Sequence, residues 1–167
     1  MTDLHVRPAC LTDAAAIAAI YNQGIAERAA TFDTDEVAED DVAAWVGDDG
    51  QPLLVAEIDG RAVGWARVIR STERCAFAGV GEYTIYLDRD ARGRGVGRPL
   101  LEALVEVADG AGYWKLQGRL FTTNAASLAL ARRCGFREVG VYERHGRLDG
   151  EWKDLLIVER LLSGASG

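Results

Sequence analysis

Apolar and polar positions along the chain change period several times, and each change marks an element. Leu4, Val6 and Pro8 open a short strand, LHVRPA, with Pro8 suited to its end or to an edge. Thr12 reads as an N-cap with Asp13 in the first turn. Ile17, Ile20, Tyr21 and Ile25 then share one helical face, and Gly24 predicts a kink or break. Ala29 to Asp35 is a loop. A second helix is expected from about Glu36, with Val37, Val42, Trp45 and Val46 in its window, ending at Gly47-Asp48-Asp49-Gly50. Leu53 to Ile58 and Arg61 to Arg70 are strand-like around Asp59-Gly60, a strong two-residue hairpin turn. Ser71 to Ala78 is polar and loop-like.

The middle of the chain is the most informative. Tyr83, Ile85 and Leu87 alternate with Glu82, Thr84 and Tyr86, the period of a strand. A polar turn, Asp88-Arg89-Asp90-Ala91, leads into Arg92-Gly93-Arg94-Gly95-Val96-Gly97. From there Val96, Leu100, Leu101, Leu104, Val105 and Ala108 recur at helical spacing. A glycine-rich turn opening a helix leaves backbone N–H groups free and pointing one way, with the helix dipole behind them. That is a phosphate or pyrophosphate cradle, and Arg92, Arg94 and Arg98 add positive charge. The P-loop spacing is absent, and Gly93-Arg94-Gly95-Val96-Gly97 does not have the spacing of the dinucleotide fingerprint.

After Gly110-Ala111-Gly112, Trp114 to Phe121 reads as a strand, parallel to the central one because a helix joins them. Asn124 starts a short helix, Ala125 to Cys134, which Gly135 ends as a C′ glycine. Two strands, about 136–144 and 151–162, close the chain around a turn at Leu148-Asp149-Gly150. The order is β-α-α-β-β-β-α-β-α-β-β, with no repeat and no linker. It predicts one α/β (α+β) domain over 1–162, a mixed sheet with helices on both faces, and a disordered tail at 163–167.

Composition narrows the function classes. The chain has 167 residues, 49% hydrophobic and 27% charged, as a soluble globular protein does. A net charge of -7 argues against a nucleic-acid partner but not against a local basic cradle. No run is long enough for a membrane span, and no signal-peptide pattern opens the chain. Cys10, Cys75 and Cys134 are odd in number and widely spaced, which predicts reduced thiols in a cytoplasmic protein. With only His5 and His145, no metal site is expected.

Arg92-x-x-Gly95-x-Gly97 after a strand resembles the pyrophosphate loop of the GNAT superfamily of N-acetyltransferases, and the element order matches that fold from end to end. Within it the chain is similar to the phosphinothricin, methionine sulfoximine and arsinothricin acetyltransferase group. Ile20-Tyr21-Asn22 with Ala30-Thr31-Phe32-Asp33-Thr34 matches that group's N-terminal signature. Val55 to Gly60, Gly64-Trp65-Ala66, Glu82 to Leu87, Asn124-Ala125-Ala126-Ser127, Cys134-Gly135-Phe136 and His145 to Asp154 match its later segments. The resemblance implies a mostly antiparallel seven-stranded sheet, acetyl-coenzyme A as co-substrate, a small-molecule amine as acceptor and a homodimer.

Acetyl transfer needs a bound thioester, a neutral amine, a stabilised oxyanion and a leaving thiolate. A base must take the proton of a substrate ammonium. An acidic residue within a buried-looking strand is costly unless paired or useful, so Glu82 is the candidate; the alternative is an ion pair with a nearby arginine. The resemblance points to Glu82 as well. It also implies that the loop from Arg92 through Gly93, Arg94, Gly95, Val96 and Gly97 to Arg98 holds the pyrophosphate, and that Tyr86 and Leu87 pair with the pantetheine arm. A backbone N–H near Leu87 would polarise the carbonyl. Asn124 and Ser127 would bond the coenzyme arm, though Asn124 could simply cap its helix. Phe32, Tyr83 and Trp152 are candidates for the acceptor pocket, with Arg70 and Arg74 for the acceptor's anionic end. Ala131 stands where the superfamily's usual acid would be, leaving Tyr142, His145 or no acid at all. A cationic or peptide amine acceptor, and a non-catalytic acyl-coenzyme sensor, stay open.

Overall fold

The computed structural model describes residues 3–166. Strands β2 (Leu53–Ile58) and β3 (Arg61–Arg70) meet at Asp59-Gly60, where φ is 51° and 79°. A tight hairpin turn of that kind needs positive φ at both central positions, which Asp and Gly tolerate. Around this hairpin lie β1 (Leu4–Pro8), β4 (Val80–Leu87), β5 (Lys115–Phe121), β6 (Arg137–Leu148) and β7 (Glu151–Leu161). They form one seven-stranded sheet in the order β1-β2-β3-β4-β5-β7-β6. Every neighbouring pair is antiparallel except β4 with β5, which α3 (Gly97–Gly110) connects.

Helices cover both faces. On one, Leu100, Leu101, Leu104, Val105 and Ala108 of α3 are buried, and Ala131 of α4 (Ala125–Arg133) joins them against Val68, Tyr83 and Leu116. On the other, Ile17 and Ile20 of α1 (Ala14–Glu27) and Val42 of α2 (Glu39–Ala43) pack on Val55 and Trp65. Among the described residues no helix is long and apolar enough to cross a membrane.

Several boundaries differ from expectation. Gly24 does not break α1. A Cβ there would meet the Tyr86 ring at 2.9 Å, so glycine lets the helix approach β4 closely. Thr12 does not cap the helix; it sits in a 3-10 turn, Leu11–Asp13, where the Asp13 carboxylate accepts from the Cys10 N–H at 2.8 Å. The second helix starts three residues later than its acidic run suggests, at Glu39, and Asp41 accepts from the Ala38 N–H at 3.0 Å. At the C-terminus, Ser163–Ser166 form a 3-10 turn rather than a loose tail, with the Ser163 hydroxyl donating to Asp109 at 2.6 Å. Gly167 lies outside the described residues.

A charged knot fastens this face. Arg7 of β1 donates to Asp13 at 2.8 and 2.9 Å and to Glu57 of β2 at 2.8 and 3.0 Å. Asp13 is 6% exposed, and its bond from Arg7 lowers its carboxyl to about 2. A depressed carboxyl stabilises the fold above its unfolded value and loses that stabilisation as pH falls towards the folded one. Wild type should therefore lose stability between about pH 4 and 2 through this group. Asp13→Asn should cost about 1–3 kcal/mol at pH 7 and flatten that acid limb, as read by urea melts across pH.

Candidate active site

The sheet opens where β4 meets β5. β4 pairs with β3 from Gly81 to Leu87, but with β5 only over Val80 to Glu82, opposite Lys115 to Gln117. Beyond Glu82 the two strands separate. The Asp88 N–H bonds back to the Val63 carbonyl of the β2–β3 hairpin side. Peptide groups alternate in direction along a strand, so those of Ile85 and Leu87 face the opening. An extended ligand arm can pair there as an added strand would.

At the mouth of the notch lies the glycine-rich loop. Gly93 and Gly95 take φ of 74° and 79°, with nothing within 4 Å of where their Cβ atoms would stand. Among the described residues no backbone amide from Gly93 to Val96 finds a protein acceptor. α3 begins at Gly97, so its dipole adds to these free donors. Arg92 donates to both oxygens of Glu27 at 2.6 and 2.7 Å and to the Leu87 carbonyl at 3.3 Å. Its charge is thus committed to tying the loop to α1. Arg98 is likewise paired, with Glu102 at 2.8 Å.

Loop, strand and helices enclose a groove of about 490 Å³, within the range of small-molecule sites. Tyr86, Leu87, Arg92, Gly93, Gly95, Val96, Gly97, Arg98, Asn124 and Ser127 all line it. The Asn124 side chain accepts from the Ser127 N–H at 3.2 Å, so it caps α4 from a position on the groove wall. Glu27 and Arg133 line the groove too and were not picked out from the sequence. Arg133 was legible as the last turn of α4. Glu27 had no signal beyond its place at the end of α1.

Glu82 stands at the vertex of the split, the last residue paired to β5. Its side chain is 20% exposed, and Arg119 Nε approaches it at 3.5 Å. Burial raises its carboxyl above the ordinary range, and the Arg119 charge opposes this. Both sequence alternatives therefore meet in one residue: a partly dry carboxylate able to take a proton, with an arginine beside it. Alternation on β5 puts Gln117, Arg119 and Phe121 on the Glu82 face.

Register separates the other acceptor candidates. Glu82 lies across from Ile69, so its side chain is on the α1 face, while Arg70, paired with Gly81, directs its side chain to the α3 face. There Arg70 lies against Gly50, whose carbonyl accepts from the Tyr113 hydroxyl, which removes it from the pocket around Glu82. Tyr83 faces the same way; it is 4% exposed and packs on Phe136 with ring centroids 4.9 Å apart, a core residue. Phe32 is on the α1 side, edge-on to Phe121 at 5.0 Å and against Gly146. Arg28 pairs with Asp149 at 3.0 Å, so the α1–α2 loop and the β6–β7 hairpin meet over this face. Arg74 is exposed in the β3–β4 loop, 5.5 Å from the Phe77 ring. Trp152 is 51% exposed and stacks under Arg147. Ala131 is fully buried. Tyr142 and His145 pack on each other with tilted rings, centroids 5.0 Å apart, and neither lines the groove.

A mixed sheet split between its two parallel strands, with a glycine-rich helix start at the mouth of the split, is the acyl-coenzyme A N-acyltransferase fold. Residues 17–136 match the acetyltransferase (GNAT) family, and the chain belongs to it and is an acyltransferase. It is 36% identical over 157 residues to a phosphinothricin N-acetyltransferase of Alcaligenes faecalis, covering 90% of this chain and 79% of that one. It is 32% identical over 158 residues to an L-methionine sulfoximine/L-methionine sulfone acetyltransferase of Pseudomonas paraeruginosa, covering 92% of each. A phosphinothricin acetyltransferase from Sinorhizobium meliloti, solved with acetyl-coenzyme A, superposes with a TM-score of 0.91 at 28% identity, over 98% of this chain and 91% of that one.

Proposed function

We propose that the protein transfers acetyl from acetyl-coenzyme A to the α-amine of a small anionic, glutamate-like amino acid, of the phosphinothricin, methionine sulfoximine or arsinothricin kind. The observation that carries this is Glu82, a largely buried carboxylate at the point where β4 and β5 part, on the strand whose later residues Ile85, Tyr86 and Leu87 line the groove that runs to the glycine-rich loop. The amides of Gly93 to Gly97 would hold the pyrophosphate, and the peptide groups of Ile85 and Leu87 the pantetheine arm. The Leu87 N–H would draw charge onto the thioester oxygen. Glu82 takes a proton from the substrate ammonium through water, and the freed amine attacks the thioester carbon. The amide C–N bond forms, the C–S bond breaks, coenzyme A leaves as thiolate, and the remaining surplus proton on the nitrogen passes through water to solvent or to that thiolate.

No side chain need protonate that thiolate. A thiol with a pKa near 8.5 leaves ionised at pH 7 at a cost of about 2 kcal/mol, which accommodates Ala131 at the usual acid position. The acyl group passes directly in a ternary complex, since Cys10 and Cys75 are exposed and Cys134 is buried behind α3, none of them lining the groove. Phe32 and Arg74 remain the acceptor-side candidates from the sequence. A homodimer fits the exposed edge strand β6, where Val139 and Val141 are each 49% exposed. A cytoplasmic detoxifying role, conferring resistance to such amino acids, is consistent with reduced thiols.

Thiol release from acetyl-coenzyme A against an amine panel tests the acceptor class. Phosphinothricin and methionine sulfoximine should turn over, with spermidine, an aminoglycoside and a peptide N-terminus at least about 100-fold slower, a gap of about 2.7 kcal/mol. Turnover confined to a cationic amine would refute the acceptor and leave the fold and coenzyme assignments standing.

A further inference from the structure

Two buried side-chain atoms among the described residues have no hydrogen-bond partner: Trp65 Nε1 and Arg67 Nε. They are two positions apart on β3, so both side chains lie on the face that carries Glu82. Arg67 sits directly across from Thr84 of β4, and Glu82 is its diagonal neighbour, about 7–8 Å away between backbones. The guanidinium stacks 4.3 Å from the Trp45 ring centroid. That contact positions the cation without using its N–H groups. Burial pushes the Arg67 pKa down, and Asp48 and Tyr21 act on it only as nearby charges. Tyr21 is itself occupied with Asp33, and its hydroxyl is pushed up to about 12 by burial and that bond.

A half-buried arginine held by an aromatic ring, with donors unspent and no carboxylate in contact among the described residues, is complementary to an anion. Unpaired buried donors are rare in folded proteins because each carries the loss of its bonds to water. The position also fits. Arg119 is 3.5 Å from Glu82 and paired with it, whereas Arg67 lies on the same face one residue pair along, across from Thr84, with its guanidinium against Trp45 and unpaired among the described residues. An α-amino acid carries its amine and carboxylate on one carbon. With the amine directed to Glu82, its carboxylate falls towards one of these two cations.

We propose that Arg67 binds the α-carboxylate of the acceptor and so sets the preference for amino acids over simple amines. The assignment rests on the amino-acid reading above and replaces Arg70, whose side chain is on the other face. The guanidinium is the specificity determinant. It takes no part in proton or acetyl transfer, so its effect belongs in KM.

The test compares methionine sulfoximine with its methyl ester, which keeps the amine and removes the carboxylate charge. Arg67→Met should raise KM for the free acid roughly 10- to 100-fold, the worth of a charge-assisted hydrogen bond. It should leave kcat, the KM for acetyl-coenzyme A and the KM for the ester within about twofold. Arg67→Lys, which keeps the charge without the planar fork, should restore part of the acid's KM; it carries the test alone if the methionine variant no longer binds coenzyme. Equal losses on acid and ester, or no change on the acid, would overturn the assignment while leaving the proposed function intact. A wild-type enzyme that acetylates neither methionine sulfoximine nor phosphinothricin, but does acetylate a cationic amine, would overturn both.

Discussion

Glu82→Gln should lower kcat by about 10²- to 10⁴-fold, the usual worth of a positioned general base. The amide keeps the shape of the carboxylate and its place beside Arg119, but it cannot accept the ammonium proton. Coenzyme binding should not change, because the glycine-rich loop and Ile85 and Leu87 line the groove and Glu82 does not. The variant thus separates an enzyme from an acyl-coenzyme sensor: a sensor would lose nothing measurable. The pH dependence follows from the same carboxyl. Its pKa is raised by burial, and the base must be ionised to act. Wild-type kcat/KM should rise with pH through a value above that of a free glutamate. In Arg119→Met the opposing positive charge is gone, so this limb should shift to higher pH. A limb that ignores both substitutions would place the base elsewhere.

The second large effect is expected at Gly95. At φ 79° a side chain is strained, and its open front is where an incoming phosphate would sit. Gly95→Asp combines a left-handed penalty of roughly 1–2 kcal/mol with a negative charge at a helix start meant for an anion. Affinity for acetyl-coenzyme A should fall on the order of 100-fold, by calorimetry. Gly112→Ala supplies the control. Its φ of 96° imposes similar strain at the far end of α3, so it should lower Tm by a few degrees and leave coenzyme affinity untouched. A Gly95→Asp protein that still binds tightly would show that the loop amides do not carry the pyrophosphate.

Much of this arrangement was legible in the residues. Tyr83 to Leu87 followed by the glycines and the Leu100 to Ala108 stripe gave strand, loop and helix with their order and their chemistry. That signal is local: two periods and a turn chemistry within twenty residues. What the chain hides is the side each residue faces. Placing Glu82 and Tyr83 in one pocket conflicts with strand alternation, which sends neighbours to opposite faces, and the structure buries Tyr83 behind the sheet. Arg70 failed for a less visible reason. Its parity relative to Glu82 depends on the length and path of the 71–79 loop, which only the β3–β4 register fixes. Arg67 gave no signal at all, because an arginine on a strand reads as solvated until its neighbours Trp45 and Trp65 are seen around it. Gly24 misled for a related reason: its helix cost was readable, whereas the Tyr86 ring that requires it was not. The split between β4 and β5 is likewise tertiary, since nothing in either strand's sequence says where their pairing stops.

The most direct test of the account is a crystal structure with coenzyme A and N-acetyl-methionine sulfoximine bound together. The pyrophosphate should lie on the amides of Gly93 to Gly97, the pantetheine arm between β4 and β5 against Ile85 and Leu87, and the new amide nitrogen within one water of Glu82. A coenzyme seated outside the split, or an acetylated nitrogen out of reach of Glu82 on the α3 face, would contradict it.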